Sequence, residues 1–190
     1  MIQILELIKH FGLGIASLLI CTITMADIKN TKDFMKAIEE VRQEYPEDSV
    51  ERKIPTGFIA TVAAAETGNF EFKGAPTAQK GNNYFGMKPI GDQDFVTTTS
   101  GINIASFPDS KASIRSFLSL ISTDDRYKNV MESTEKVEDM FKCMSPYAER
   151  TDYPSFLANV YNDRIKPIIE TENMLVPKVK PLVDQMNTLK

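Results

Sequence analysis

From Ile54 to Gly68 the chain reads Ile-Pro-Thr-Gly-Phe-Ile-Ala-Thr-Val-Ala-Ala-Ala-Glu-Thr-Gly, an apolar run of helix length whose one charge is Glu66. Pro55 suits a helix start and Gly68 a stop, because proline presets the first helical φ and glycine accepts the left-handed turn that ends a helix. Phe58, Val62 and Glu66 recur at steps of four, which puts the carboxylate on one stripe with the apolar side chains. The rest of the fold has to cover that stripe, and the carboxylate is carried part of the way under cover with it. Partial desolvation raises a carboxyl pKa, and a helix C-terminus disfavours negative charge. Both effects favour a protonated acid near neutral pH, the state that general acid catalysis needs. Spacing alone also allows a plainer reading, in which Glu66 marks where the apolar face reaches solvent.

Beyond Gly68 the texture changes. Residues 69–107 carry Gly74, Gly81, Gly86, Gly91 and Gly101 and few helix signals. Phe95–Thr99 and Ile102–Phe107 have β-type composition around Ser100-Gly101, which predicts a hairpin. Just before it, Asn82, Asn83 and Tyr84 offer amide and phenol groups suited to sugar hydroxyls and N-acetyl groups, and Phe85 is suited to anchoring the loop. An ordinary asparagine-rich turn has the same composition.

The remainder reads as helical. Thr31–Tyr45 holds Phe34, Met35, Ala37, Ile38 and Val41 at helical spacing and stops at Pro46, after which 46–53 reads as a polar loop. Asp109 is placed to cap a helix carrying Ala112, Ile114, Phe117, Leu118 and Ile121. Short helices are expected at 127–131 and 137–144, then a last one through Phe156, Leu157, Val160, Tyr161 and Ile165, interrupted near Pro167. The sum is an α+β domain, mainly helical, with one small β-lobe at about 69–107.

A length of 190 residues suggests one domain, and a formal charge of −4 gives no basic footprint for nucleic acid. Lys9 and His10 precede an uncharged run of sixteen residues, 11–26, which is short for a membrane-spanning helix and right for a secretory signal. Thr24-Met25-Ala26 resembles a cleavage site, and an uncleaved N-terminal membrane anchor is the alternative. Export, to the periplasm or outside the cell, is therefore expected, with 27–170 as the folded domain and 171–190 as a tail. Without residues 1–26 the chain keeps Cys143 alone of its cysteines and no histidine. That removes Ser-His-Asp and Cys-His nucleophiles, histidine-ligated zinc and any internal disulfide. Carboxylates, tyrosines and lysines remain to work with, no metal or cofactor is implied, and a monomer is expected.

The order Ala65-Glu66-Thr67-Gly68, then Gly81-Asn82-Asn83-Tyr84-Phe85-Gly86-Met87-Lys88, resembles the glucosaminidase domain of glycoside hydrolase family 73. Three later segments continue the likeness: Phe107–Leu118, Asp125-Arg126-Tyr127, and the tyrosine pair Tyr147 and Tyr153, six residues apart. Agreement runs in order from about Pro55 to Asn162. The resemblance implies a lysozyme-like fold and cleavage of β-1,4 bonds after N-acetylglucosamine in peptidoglycan glycan strands. It implies Glu66 as general acid, with Tyr147 or Tyr153 near the reacting sugar to position a water or the N-acetyl group. Phe70, Asn82, Asn83, Tyr84, Phe85 and Lys88 are the expected substrate-binding residues.

Two departures stand out. Family members commonly carry Trp-Gly after the Glu-Ser/Thr-Gly element, where this chain has Asn69-Phe70; Phe70 offers an aromatic one position displaced. Many members also carry a second glutamate in the β-lobe, where this chain has Thr99. Glu71, Asp92 and Asp94 are the nearest carboxylates in that lobe, and a two-carboxylate mechanism needs groups roughly 5–10 Å apart. Substrate assistance by the 2-acetamido group, with Glu66 as sole essential acid, suits the sequence better. A lytic transglycosylase, whose glutamate-serine-x-phenylalanine element resembles Glu66-Thr67-Gly68-Asn69-Phe70, and a non-catalytic glycan-binding protein are the competing expectations.

Overall fold

A computed structural model describes residues 30–71 and 76–173. The expected leader or anchor at 1–26 and most of the expected tail lie outside the described residues.

Helix α1 (Thr31–Arg42) is capped by Asn30, whose side chain accepts from the Asp33 amide, and it buries Phe34, Ile38 and Val41. The stretch read as a polar loop contains a short helix, α2 (Val50–Lys53), because the Ser49 hydroxyl accepts from the Arg52 amide and supplies a cap. Helix α3 (Thr56–Thr67) begins after Pro55 and ends at Gly68 in the left-handed conformation, as expected. Helix α4 (Pro76–Lys80) is short and was not expected in the glycine-rich region. Strands β1 (Phe95–Thr97) and β2 (Asn103–Ala105) pair antiparallel, with Val96 opposite Ile104. Asp109 caps helix α5 (Ser110–Thr123), its carboxylate accepting from the Ala112 amide at 2.7 Å.

A 3-10 turn (Asp125–Tyr127) then leads into α6 (Lys128–Glu132), α7 (Val137–Lys142) and α8 (Tyr153–Val160). The expected interruption near Pro167 takes another form. A π-helical turn (Tyr161–Ile165) lets the Lys166 amide reach the Tyr161 carbonyl, and the helix runs on through 166–173. One residue is inserted into the ladder just before the proline, which has no amide to donate.

Helix α3 is the centre of the molecule, packed on α1, α7, α8 and the π-helical turn. The single stripe expected for it is corrected. Gly57 through Ala64 and Thr67 are all buried, and Thr56, Ala65 and Glu66, at the two ends, are half-buried. The helix's threonines hide this in the sequence. Thr61 and Thr67 donate to the carbonyls of Gly57 and Ala63 at 2.6 and 2.7 Å, so their hydroxyls are satisfied without water. Around α3 the core is aromatic: Phe58 packs on Phe117 and Phe141, and Phe85 stacks on Phe117 with ring centres 4.1 Å apart.

Candidate active site

Glu66 emerges at the last turn of α3, where the buried helix meets the surface. Three consecutive left-handed residues follow it: Gly68, Asn69 and Phe70, at φ 62°, 60° and 66°. Two of them are not glycine and are held there by specific contacts, since that region is unfavourable for a side chain. The Asn69 amide bonds the Ala64 carbonyl at 2.8 Å, the Phe70 amide bonds the Thr67 hydroxyl at 2.9 Å, and the Phe70 ring packs on Phe34 at 5.0 Å. This tight reversal leaves the carboxylate facing the 82–88 loop and the segment that carries the late tyrosines.

Both carboxylate oxygens have a defined neighbour. Tyr153 donates its hydroxyl to Oε1 at 2.6 Å. On the other side, a Cβ placed on Gly86 would stand 2.9 Å from Oε2. Burial raises the Glu66 pKa above the ordinary glutamate value; the Tyr153 hydrogen bond and the Arg150 charge pull it back only in part.

The two tyrosines, stacked with ring centres 5.9 Å apart, have different jobs. Tyr153 touches the acid directly. Tyr147 donates to the Phe85 carbonyl at 2.5 Å and so ties down the residue before Gly86. Burial first, then the Glu66 charge, pushes both phenols well above their usual range, so each stays a protonated donor. Tyr127 packs on the far side of Tyr147 at 6.0 Å, extending the cluster to the 3-10 turn. Arg150 is fixed by two 2.7 Å bonds to Asp152 and lies 4.2 Å above the Phe156 ring. Sequence reasoning passed over Arg150 as an influence on Glu66, because only the fold brings it near.

The residues expected to bind substrate divide sharply. Asn83 is fully buried: its amide donates to the Met87 and Ala105 carbonyls at 2.8 and 2.9 Å and accepts from the Met87 amide at 3.0 Å. Asn82 donates to the Phe107 and Pro108 carbonyls at 2.9 and 3.3 Å. Both amide nitrogens therefore hold the loop, and full burial keeps Asn83 from the sugar contact expected of it. Phe85 has no exposed surface, and Tyr84 is buried against Phe34, so these two anchor the loop in the core. Phe70 is buried in the same cluster, and Lys88 is exposed. Of the carboxylates considered as a second acid, Glu71, Asp92 and Asp94 are exposed. Thr99 lies in the hairpin turn, which is closed by the Thr98 hydroxyl accepting from the Ile102 amide. No three histidine, cysteine, aspartate or glutamate side chains among the described residues gather as a metal-binding group.

A cavity of about 640 Å³ opens at the other end of α3, lined by Lys32, Met35, Arg42, Gly57, Tyr161 and Ile169 among others. Ten residues of helix, roughly 15 Å, separate that end from Glu66.

The family model for the glucosaminidases, described as mannosyl-glycoprotein endo-beta-N-acetylglucosaminidase, matches residues 42–173, more than half of the chain. The chain belongs to the glucosaminidase family. It is thereby a glycoside hydrolase by family, and its α+β fold is the lysozyme-like one of its structural neighbours. The glycoside hydrolase domain of FlgJ from Salmonella typhimurium superposes with a TM-score of 0.57 at 17% identity, covering 82% of this chain and 99% of that one. A peptidoglycan hydrolase from Sphingomonas sp. A1 gives a TM-score of 0.53 at 17% identity, covering 68% and 83%. No curated protein sequence matches the chain. The glucosaminidase match spans Glu66, the 82–88 loop and both late tyrosines.

Proposed function

We propose that this glucosaminidase-family protein hydrolyses peptidoglycan at the β-1,4 bond after N-acetylglucosamine, with Glu66 as the general acid. The observation that carries the reading is the Glu66 carboxyl itself. It is half-buried at a helix C-terminus, raised in pKa, and held at 2.6 Å by a phenol that stays protonated.

The protonated Glu66 gives its proton to the glycosidic oxygen as the C1–O bond breaks. The substrate's own 2-acetamido oxygen attacks C1 and forms an oxazolinium ring in place of an enzyme carboxylate ester. Water then adds to C1, the Glu66 carboxylate takes the water's proton, and ring opening restores the acetamido group. No second enzyme carboxylate is required by this route. Tyr153 holds the acid in both protonation states, because a phenol can donate to a carboxylate and accept from a carboxyl group.

Peptidoglycan lies outside the cytoplasm, so the 1–26 segment is assigned as an export leader or anchor and the enzyme acts as a monomer beyond the membrane. Digestion of purified cell walls tests the chemistry. Wild type is expected to release fragments with a reducing N-acetylglucosamine end, and Glu66→Gln to lose roughly 10²–10⁴-fold in rate. Anhydro-muramic acid ends would make it a transglycosylase, and an unaffected Glu66→Gln would remove Glu66 from catalysis.

A further inference from the structure

Four glycines of the described chain adopt positive φ, and only one is crowded. A Cβ added at Gly68, Gly91 or Gly101 would meet nothing within 4 Å, whereas at Gly86 it would meet Glu66 Oε2 at 2.9 Å and Glu66 Cδ at 3.7 Å. Left-handed backbone by itself does not oblige this chain to use glycine, since Asn69, Phe70 and Asn82 adopt it with side chains in place. The demand at Gly86 is therefore steric as well as conformational, and its source is the carboxylate.

The loop around Gly86 has little freedom to retreat. Phe85 is locked in the core on Phe117, and its carbonyl takes the Tyr147 hydroxyl at 2.5 Å. On the other side Met87 is bonded through both its amide and its carbonyl to the Asn83 side chain. Glu66, by contrast, is the end of a three-torsion side chain held by a hydrogen bond at Oε1. If the two are forced together, the carboxylate is what moves.

We infer that Gly86 is a positioning residue for Glu66: its bare Cα is the wall against which Oε2 rests, and Tyr153 on Oε1 completes the clamp. Tyr147 belongs to the same device, acting on the wall through the Phe85 carbonyl. The groups facing the carboxylate are then the Gly86 backbone, the Tyr153 hydroxyl and the Arg150 charge, with Tyr147 stacked behind Tyr153. The inference rests on Glu66 being the catalytic acid, and adds that its placement depends on a glycine twenty residues downstream.

Gly86→Ala and Gly91→Ala form the test pair, because both place alanine at positive φ and only the first meets Glu66. On a soluble glycan substrate, Gly86→Ala is expected to lose on the order of 10²-fold in kcat with KM changed less than about 3-fold, since displacement of a reacting group by about an ångström has that effect. Its alkaline limb should move to higher pH, because the displaced carboxylate leaves the Tyr153 bond that lowers its pKa. Gly91→Ala should keep both kcat and limb. Equal behaviour of the two variants, or a fall in kcat with an unmoved limb, overturns the inference. A second readout does not depend on activity. The Tm loss of Gly86→Ala should exceed that of Gly91→Ala and shrink to the same size in a Glu66→Ala background; a loss that persists there also overturns it. If Glu66→Gln is fully active the catalytic reading fails, while the Tm comparison still judges the contact. If Glu66→Gln is dead and the two alanine variants match, only the positioning role falls.

Discussion

The two ends of α3 pose the same structural problem and resolve it in opposite ways. At the Thr56 end a roomy cavity opens, and two cations on its lining, Lys32 and Arg42, are paired with Glu172 and Glu39. Arg42 bonds Glu39 at 2.9 and 3.0 Å, Thr56 at 3.0 Å and the Arg52 carbonyl at 2.5 Å. At the Glu66 end a carboxylate is half-buried, its pKa is raised, and a glycine backbone crowds it. A carboxyl group with a raised pKa held in close quarters is a mark of functional chemistry. The contrast separates the proposed active site from the hollow at the other end of the helix.

The largest effect that would sharpen this contrast is at Glu66. Beyond its loss of rate, Glu66→Gln should raise Tm at neutral pH. A carboxyl whose folded pKa is raised binds its proton more tightly folded than unfolded, so stability is full below the ordinary glutamate value and falls as pH rises through the folded pKa. An amide has no such penalty, and thermal melts from pH 4 to 8 check it: the variant's advantage should grow with pH. Next comes Tyr153→Phe, which removes the bond that lowers the Glu66 pKa. Here the expected kcat loss is about 10–100-fold, with the alkaline limb of the pH–rate profile moved upward. A downward movement would mean that Tyr153 does not stabilise the carboxylate.

The opposite end supplies the counter-experiment. Arg42→Met removes several hydrogen bonds and should cost about 2 kcal/mol in stability while kcat stays within about 2-fold, read by urea unfolding beside wall digestion. A large kcat loss at unchanged stability would erase the distinction between the two ends. The smallest effect is at Arg150, which is exposed and screened by solvent. Arg150→Ala should shift the alkaline limb upward by less than Tyr153→Phe, and added salt should shrink the difference.

How much of this was legible in the sequence depends on the range of the interaction. Local signals carried through: Pro55 and Gly68 bound α3, Asp109 caps α5, and Ser100-Gly101 lies in the hairpin turn. The order of motifs led to the family and to Glu66. What did not carry through was which partner each polar group takes. Asn82 and Asn83 have amides equally able to bind a sugar or a backbone carbonyl, and only the return of 105–108 beside the loop decides for the backbone. Tyr147 and Tyr153 look alike in sequence, yet one reaches the acid and the other a carbonyl, because the turn before α8 separates their hydroxyls. The crowding at Gly86 left one faint trace, a glycine between Phe85 and Met87.

The most direct measurement of the central claim is a carboxyl-detected NMR titration of Glu66 in the folded protein. The expected midpoint lies above the ordinary glutamate value of 4.5 and rises further in Tyr153→Phe. A midpoint at or below 4.5, or one that falls when the Tyr153 hydroxyl is removed, would contradict a buried acid held ready by that phenol.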